Sequence, residues 1–256
     1  MTPTALTQAF VLRSHAYGES DRIVTLITED FGKMSGIAKG AMRSRRRFAN
    51  TLEPFAKIRL TFRVRPRSDL VFIEHCDLAY ALRGFGNDLE RFAWGSYILE
   101  LTDRLVMGRE PGVEVFRLVE TALSMLDSTG PRPSVVRAFE LHILGAIGYR
   151  PEFARCRGCG SSVSHMQSVL IVPARGGVVC PRCRPATGVT HELAGHTLAM
   201  LADLQRLPIS AAASRTSDRE AAAAETALEG FIAQVLTRPL RSLAVLSALR
   251  QPVPTC

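Results

Sequence analysis

Two pairs of cysteines near the middle of the chain, Cys156-x-x-Cys159 and Cys180-x-x-Cys183, carry the clearest chemistry in the sequence. Each pair sets two thiolates on one tight turn, and two such turns can close around a single tetrahedral Zn2+. Twenty residues separate Cys159 from Cys180, the upper end of the usual spacing for such sites. The apolar run Val169 to Val172, followed by Gly176-Gly177, predicts a short hairpin between the knuckles, which together make a zinc ribbon. The rival chemistries are a pair of disulfides or a redox dithiol. Two matched pairs, neither inside a βαβ pattern, favour the metal. Four thiolates fill zinc's coordination shell and leave no place for an activated water, so the expected metal is one structural Zn2+ per chain.

A second cluster could hold phosphate. Lys39, Arg43, Arg45, Arg46 and Arg47 put five cations in nine residues, spaced by Gly40, Ala41, Met42 and Ser44. Such a run cannot be a buried strand. Arg forks pair with phosphates and stack on bases, so these five are the expected nucleic-acid-binding residues, on a long mobile loop. Tyr17, Phe31, Phe48 and Phe55 are aromatic candidates for base stacking, although most aromatics of a small barrel are core.

The elements that must position these groups follow from periodicity. Residues 7–14, 22–29, 33–39, 55–64 and 70–79 alternate or are rich in β-branched residues, with turn signals at Gly18-Glu19-Ser20-Asp21, Glu29-Asp30-Phe31-Gly32 and Pro66-Arg67-Ser68-Asp69. Five short strands suit a small closed barrel, with the OB-fold as the expectation and an SH3-like barrel as the alternative. From residue 81 the period changes to that of helices. Asp88 is a plausible N-cap for a helix that Gly108 to Gly112 ends. A second helix stops at Gly130-Pro131-Arg132-Pro133, and Ser134 can cap a third that ends at Gly148 and Pro151. Helices resume at 192–206, 217–236 and 239–250, with 210–224 a loose connection or a weak helix start. The expected class is therefore α+β multidomain, an N-terminal OB-fold β-barrel over 1–80 followed by an all-helical domain over 81–155 and 186–256. A four-cysteine zinc ribbon over 156–185 is inserted in the helical part.

Charge narrows the partners. The 256 residues hold 32 Lys+Arg and 24 Asp+Glu, a net +8. The surplus is focused: residues 1–80 carry +5, and residues 156–185 carry four arginines and no acid. Such focusing implies an anionic partner. The N-terminus lacks a basic and apolar leader, and no stretch approaches the about 20 apolar residues of a membrane helix. Cysteines arranged as metal pairs fit a reducing cytoplasm, with no membrane. Cys76 is read as a buried small hydrophobe and Cys256 as incidental. No His-x-Glu accompanies the cysteine pairs, and no Gly-x-x-x-x-Gly-Lys-Ser/Thr loop is present, so zinc-dependent nucleic-acid chemistry and nucleotide hydrolysis are not expected. His191 and His196 are off the metal register of a helix.

Taken together, several segments resemble the bacterial DNA repair family RecO, in its zinc-bearing form. They are Gly18 to Leu26, Gly32-Lys33, Lys39-Gly40-Ala41 with its Arg-rich continuation, and Leu52-Glu53-Pro54-Phe55. Farther on come Phe139-Glu140-Leu141, then Gly148-Tyr149-Arg150-Pro151 running into Cys156-Arg157-Gly158-Cys159-Gly160, and finally Arg238-Pro239-Leu240-Arg241-Ser242. The resemblance implies a non-catalytic protein that binds single- and double-stranded DNA and anneals complementary strands. It further implies that, with RecR and in one pathway RecF, the protein helps load RecA onto strands coated by single-stranded-DNA-binding protein (SSB), whose acidic C-terminal tail it also binds. Arg132 and Arg137 are candidate cations for that tail, or else surface salt-bridge residues. The alternative function is an RNA-binding or ribosome-associated factor, since OB-folds and zinc ribbons occur in both classes.

Overall fold

The computed structural model describes residues 4–44, 46–65, 68–108 and 112–250, in two compact units. Residues 1–130 and 240–256 make the first, and residues 131–239 the second.

In the first unit, five strands, β1 (Thr4–Tyr17), β2 (Asp21–Thr28), β3 (Gly32–Ala38), β4 (Ala56–Arg63) and β5 (Leu70–Ala81), form a closed barrel in the order β1-β2-β3-β5-β4. β4 shows the governing period of two: Ala56, Ile58, Leu60 and Phe62 are buried, and the residues between them are not. These side chains meet Val11, Leu26, Ile73 and others in one apolar core. The ring closes through β1–β4, paired from Thr4↔Arg63 to Phe10↔Lys57, and through a short parallel seam of β3 with β5 at Ser35↔Leu70, Gly36↔Val71 and Ile37↔Phe72. Gly36 permits that seam, because a Cβ there would lie 2.7 Å from the Ile73 side chain. This ring order with its single parallel pair is that of an OB-fold.

Helices α1 (Leu89–Leu105), α2 (Gly112–Thr129) and, after the second unit, one numbered below complete this unit. Asp88 caps α1 as expected, its carboxylate accepting the Arg91 N–H at 3.0 Å. Buried residues surround much of α1: Trp94, Ile98 and Leu99 are covered along with Tyr97 and Leu101, while Leu89 and Phe92 are exposed. The compact unit therefore crosses the boundary expected at residue 80. Apolar and ionic contacts bind helix to barrel: Phe10 packs on Phe116 with ring centroids 5.5 Å apart, and Lys33 reaches Asp103 at 2.9 Å. The Lys33 ammonium also donates to the Val106 carbonyl at 3.1 Å, satisfying the C-terminal end of α1.

The second unit is built on α3 (Pro133–Ala146), whose residues Ser134 to Leu141 are all buried. Its N-cap is Arg132, whose side chain makes no cap; Ser134 is the second residue of the helix and donates instead of capping. β6 (Ser168–Val172) and β7 (Gly177–Val179) form the expected hairpin, but the sheet has a third strand, β8 (His191–Ala194). The expected helix at 192–206 therefore begins only with α4 (Gly195–Arg206). β6 is apolar along nearly its whole length, so its free edge takes a partner, and Ile171↔His191 to Ser168↔Ala194 supply it. The segment 210–224 is ordered as α5 (Ile209–Arg215) and α6 (Asp218–Ala223), followed by α7 (Glu225–Val235). The helix expected over 217–236 starts as read, with the Ser217 hydroxyl accepting the Glu220 N–H as N-cap, but it is divided at Ala224 into α6 and α7. In the first unit, α8 (Arg241–Arg250) closes the element order.

Candidate metal centre and nucleic-acid interface

The two cysteine pairs sit on turns that β6 and β7 hold together. Cys156 and Cys159 precede the sheet, and Cys180 and Cys183 follow β7 directly. The four Sγ atoms lie within 4.8 Å of one another, with Cys159 and Cys180 at 3.9 Å. Zinc–thiolate bonds of about 2.3 Å in a tetrahedron place sulfurs about 3.8 Å apart, so the spacing fits such an ion. Gly158 makes the approach possible, since a Cβ there would lie 2.7 Å from the Cys183 Cβ. The N–H groups of Gly158 and Cys180 donate to the Cys156 sulfur at 3.3 and 3.2 Å, the pattern that stabilises a thiolate.

Four thiols this close cannot all ionise without a cation. Burial opposes ionisation of Cys156, yet backbone hydrogen bonds from Cys180, Cys159 and Gly158 pull its pKa down to about 6. Sharing with Cys180 and Cys159 pushes Cys183 up to about 12. A bound divalent cation would remove that conflict. Among the described residues no other group of three or more His, Cys, Asp or Glu could hold a metal. Cys76 is buried in the barrel, where burial first and then Asp77 push its thiol up to about 12. Cys256 lies outside the described residues.

The basic loop between β3 and β4 differs from the long mobile loop expected of it. Phe48, Leu52 and Phe55 turn inward and are buried, which ties the loop down. Phe55 takes a left-handed backbone (φ 71°), held by stacking on Phe85 at 4.7 Å. Lys39, Arg43, Arg46 and Arg47 are all exposed, and Arg45 lies outside the described residues. Lys39, Arg43 and Arg46 form no ion pair among the described residues. Arg47 is more structural: its guanidinium covers the Phe48 ring at 4.9 Å and donates to the Lys39 carbonyl at 2.8 Å. Of the aromatic candidates, Phe48 and Phe55 are core and Phe31 is half-buried; Tyr17 alone is open, at 54% exposure. Arg22, which the charge pattern did not single out, comes to the same loop and pairs with Glu53.

Arg137 does not serve as a surface cation. It is 2% exposed and pairs with the fully buried Glu140 at 2.7 Å, with Glu225 at 3.8 Å. Arg132 is engaged by Asp218 at 3.1 Å. In the ribbon, Arg157, Arg175, Arg182 and Arg184 are exposed and form no ion pair among the described residues.

The fold and site define a class: proteins that carry an OB-type barrel with an exposed cationic loop, and a helical unit with a four-thiolate knuckle. Within that class, the family model described as recombination protein O N terminal matches residues 1–82, and the one described as recombination protein O C terminal matches residues 86–244. A protein named DNA repair protein RecO from Anaeromyxobacter dehalogenans (strain 2CP-C) is 42% identical over 90% of this chain and 91% of its own length. Proteins of the same name from Geobacter metallireducens and Syntrophus aciditrophicus are 37% and 30% identical, over 95% and 97% of this chain and 97% of each relative. The chain belongs to the recombination protein O family, and its role is in DNA repair and recombination. That membership favours DNA over the RNA-binding or ribosome-associated alternative. Among the described residues, no helix is long and apolar enough to cross a membrane.

Proposed function

We propose that this chain is a non-catalytic recombination mediator that binds single- and double-stranded DNA and anneals complementary strands. With RecR, and RecF in one pathway, it promotes loading of RecA onto single strands coated by SSB, and it engages that protein's C-terminal tail. The observation that carries this reading is the row of exposed cations Lys39, Arg43 and Arg46, without ion pairs among the described residues, on an OB-type barrel. Arg47 steadies them, and Arg45 adds a fifth charge to the run. Annealing needs no covalent step: neutralising phosphates on two strands lowers their repulsion, and the intrinsic pairing of the bases does the rest. Cys156, Cys159, Cys180 and Cys183 would hold one structural Zn2+. That ion, when bound, supplies cross-linking of the ribbon and no reactive water, because its four positions are filled by sulfur. The protein works in the cytoplasm, at the nucleoid.

The test is annealing of complementary oligonucleotides coated with the cognate SSB, with and without the protein. Acceleration at low salt is expected; unchanged annealing rates overturn the proposal.

A further inference from the structure

The β3–β4 loop folds around a hollow of about 440 Å3. Phe48 and Leu52, both buried, give it an apolar floor. Its rim carries hydrogen-bonding groups of both kinds, from Ser44, Asn50, Arg22 and Glu53. Arg22 of β2 and the loop residues Ala41 to Glu53 line it, and hydrogen bonds tie the loop to the chain before β2 and to β5. The Met42 N–H donates to the Ser20 carbonyl at 2.9 Å, the Gly40 N–H to the Asp21 carboxylate at 2.8 Å, and the Cys76 N–H to the Arg47 carbonyl at 3.0 Å. The hollow is therefore formed before any partner arrives, which lowers the entropic cost of filling it.

We propose that this hollow receives one unpaired nucleobase of a single strand whose phosphates lie on Lys39, Arg43 and Arg46. This rests on the DNA-binding reading above and adds to it a site that takes the base itself. An apolar floor suits the face of an aromatic ring, and a mixed rim suits the edge of a base, which presents donors and acceptors side by side. One Glu53 carboxylate oxygen pairs with Arg22, and the other is an acceptor of the kind that takes an exocyclic amino group. The flanking cations hold a sugar–phosphate chain on the loop that carries the hollow. A base inside a duplex stays stacked and cannot enter. Pairing therefore withdraws the base, and an annealed product leaves the hollow empty while the phosphates stay on the loop.

The experiment compares, for the full chain, the affinity of a short single strand with that of the same sugar–phosphate strand lacking its bases. The base-bearing strand should bind about tenfold or more tightly. In Ala49→Trp, where the new ring projects from an exposed position lining the hollow, that ratio should fall toward one. A ratio near one in the unaltered protein, or an undiminished ratio in the variant, overturns the proposal. A second measurement needs no variant: a 2-aminopurine in the bound strand should be shielded from acrylamide quenching, and full quenching counts against the hollow. Failure of both strands to bind at all sinks the DNA-binding reading itself, which separates the two outcomes.

Discussion

The Asp218 carboxylate accepts both the N–H (3.1 Å) and the hydroxyl (2.7 Å) of Ser134, 84 residues earlier in the chain. One helix thus supplies the cap that another lacks. Glu100 does the same for α8, accepting the Arg241 N–H at 3.0 Å, the Ser242 N–H at 2.8 Å and the Ser242 hydroxyl at 2.7 Å. Both devices satisfy orphan amides at a helix start and place negative charge where the helix dipole favours it.

This capping makes stability depend on acid in a stated direction. Burial alone would raise the Asp218 pKa, but the Ser134 hydroxyl and N–H and the Arg132 guanidinium outweigh it, so it lies below the ordinary 3.8. A depressed carboxylate contributes its full stabilisation above its unfolded value and loses it as pH falls through the lower folded value. Asp218→Asn should therefore cost about 1 kcal/mol at pH 7, measured by urea unfolding. The difference should shrink once the pH is well below 3.8 and the native carboxylate is itself protonated.

The buried Arg137–Glu140 pair gives a larger effect. Arg137→Ala leaves the Glu140 carboxylate, 0% exposed, without its nearest cation. The expected loss is about 3–5 kcal/mol, whereas replacing both members by apolar residues of similar size should cost much less. Denaturant midpoints of the single and double variants check this. Equal losses in the two would contradict it.

Metal removal should act on the second unit. The purified chain is expected to hold one zinc per chain, and Cys180→Ser to hold none. Structural zinc contributes about 10–16 kcal/mol in small zinc peptides, comparable to the whole stability of an ordinary domain. Chelation should accordingly raise hydrogen exchange across residues 150–194 while the barrel amides stay protected. Acidification should release the metal as well, because protons compete for the thiolates.

Much of this architecture was legible in sequence. Turn residues and the period of two placed all five strands within a few residues, and the paired Cys-x-x-Cys spacing brought four sulfurs together as expected. What escaped were features set by distant partners. β8 is a strand because β6 has an open edge, not because His191 to Ala194 alternate strongly. Arg137 reads as a surface cation until Glu140 and Glu225 are seen to enclose it. Arg22 joins the basic loop only through the pairing of β2 with β3, and no local signal marks it. The buried Phe48 and Leu52 turn a run that looks mobile into a fixed one, because no charge count records which residues of a loop face inward.

The central claim, that the β3–β4 loop holds the DNA, is tested most directly by the salt dependence of single-strand binding. Fluorescence anisotropy across a salt series should compare the unaltered chain with Arg43→Ala/Arg46→Ala, two exposed positions without ion pairs among the described residues. The account predicts weaker binding and a log–log slope smaller by about 0.7 for each phosphate that is no longer neutralised. An unchanged slope with unchanged affinity would contradict it.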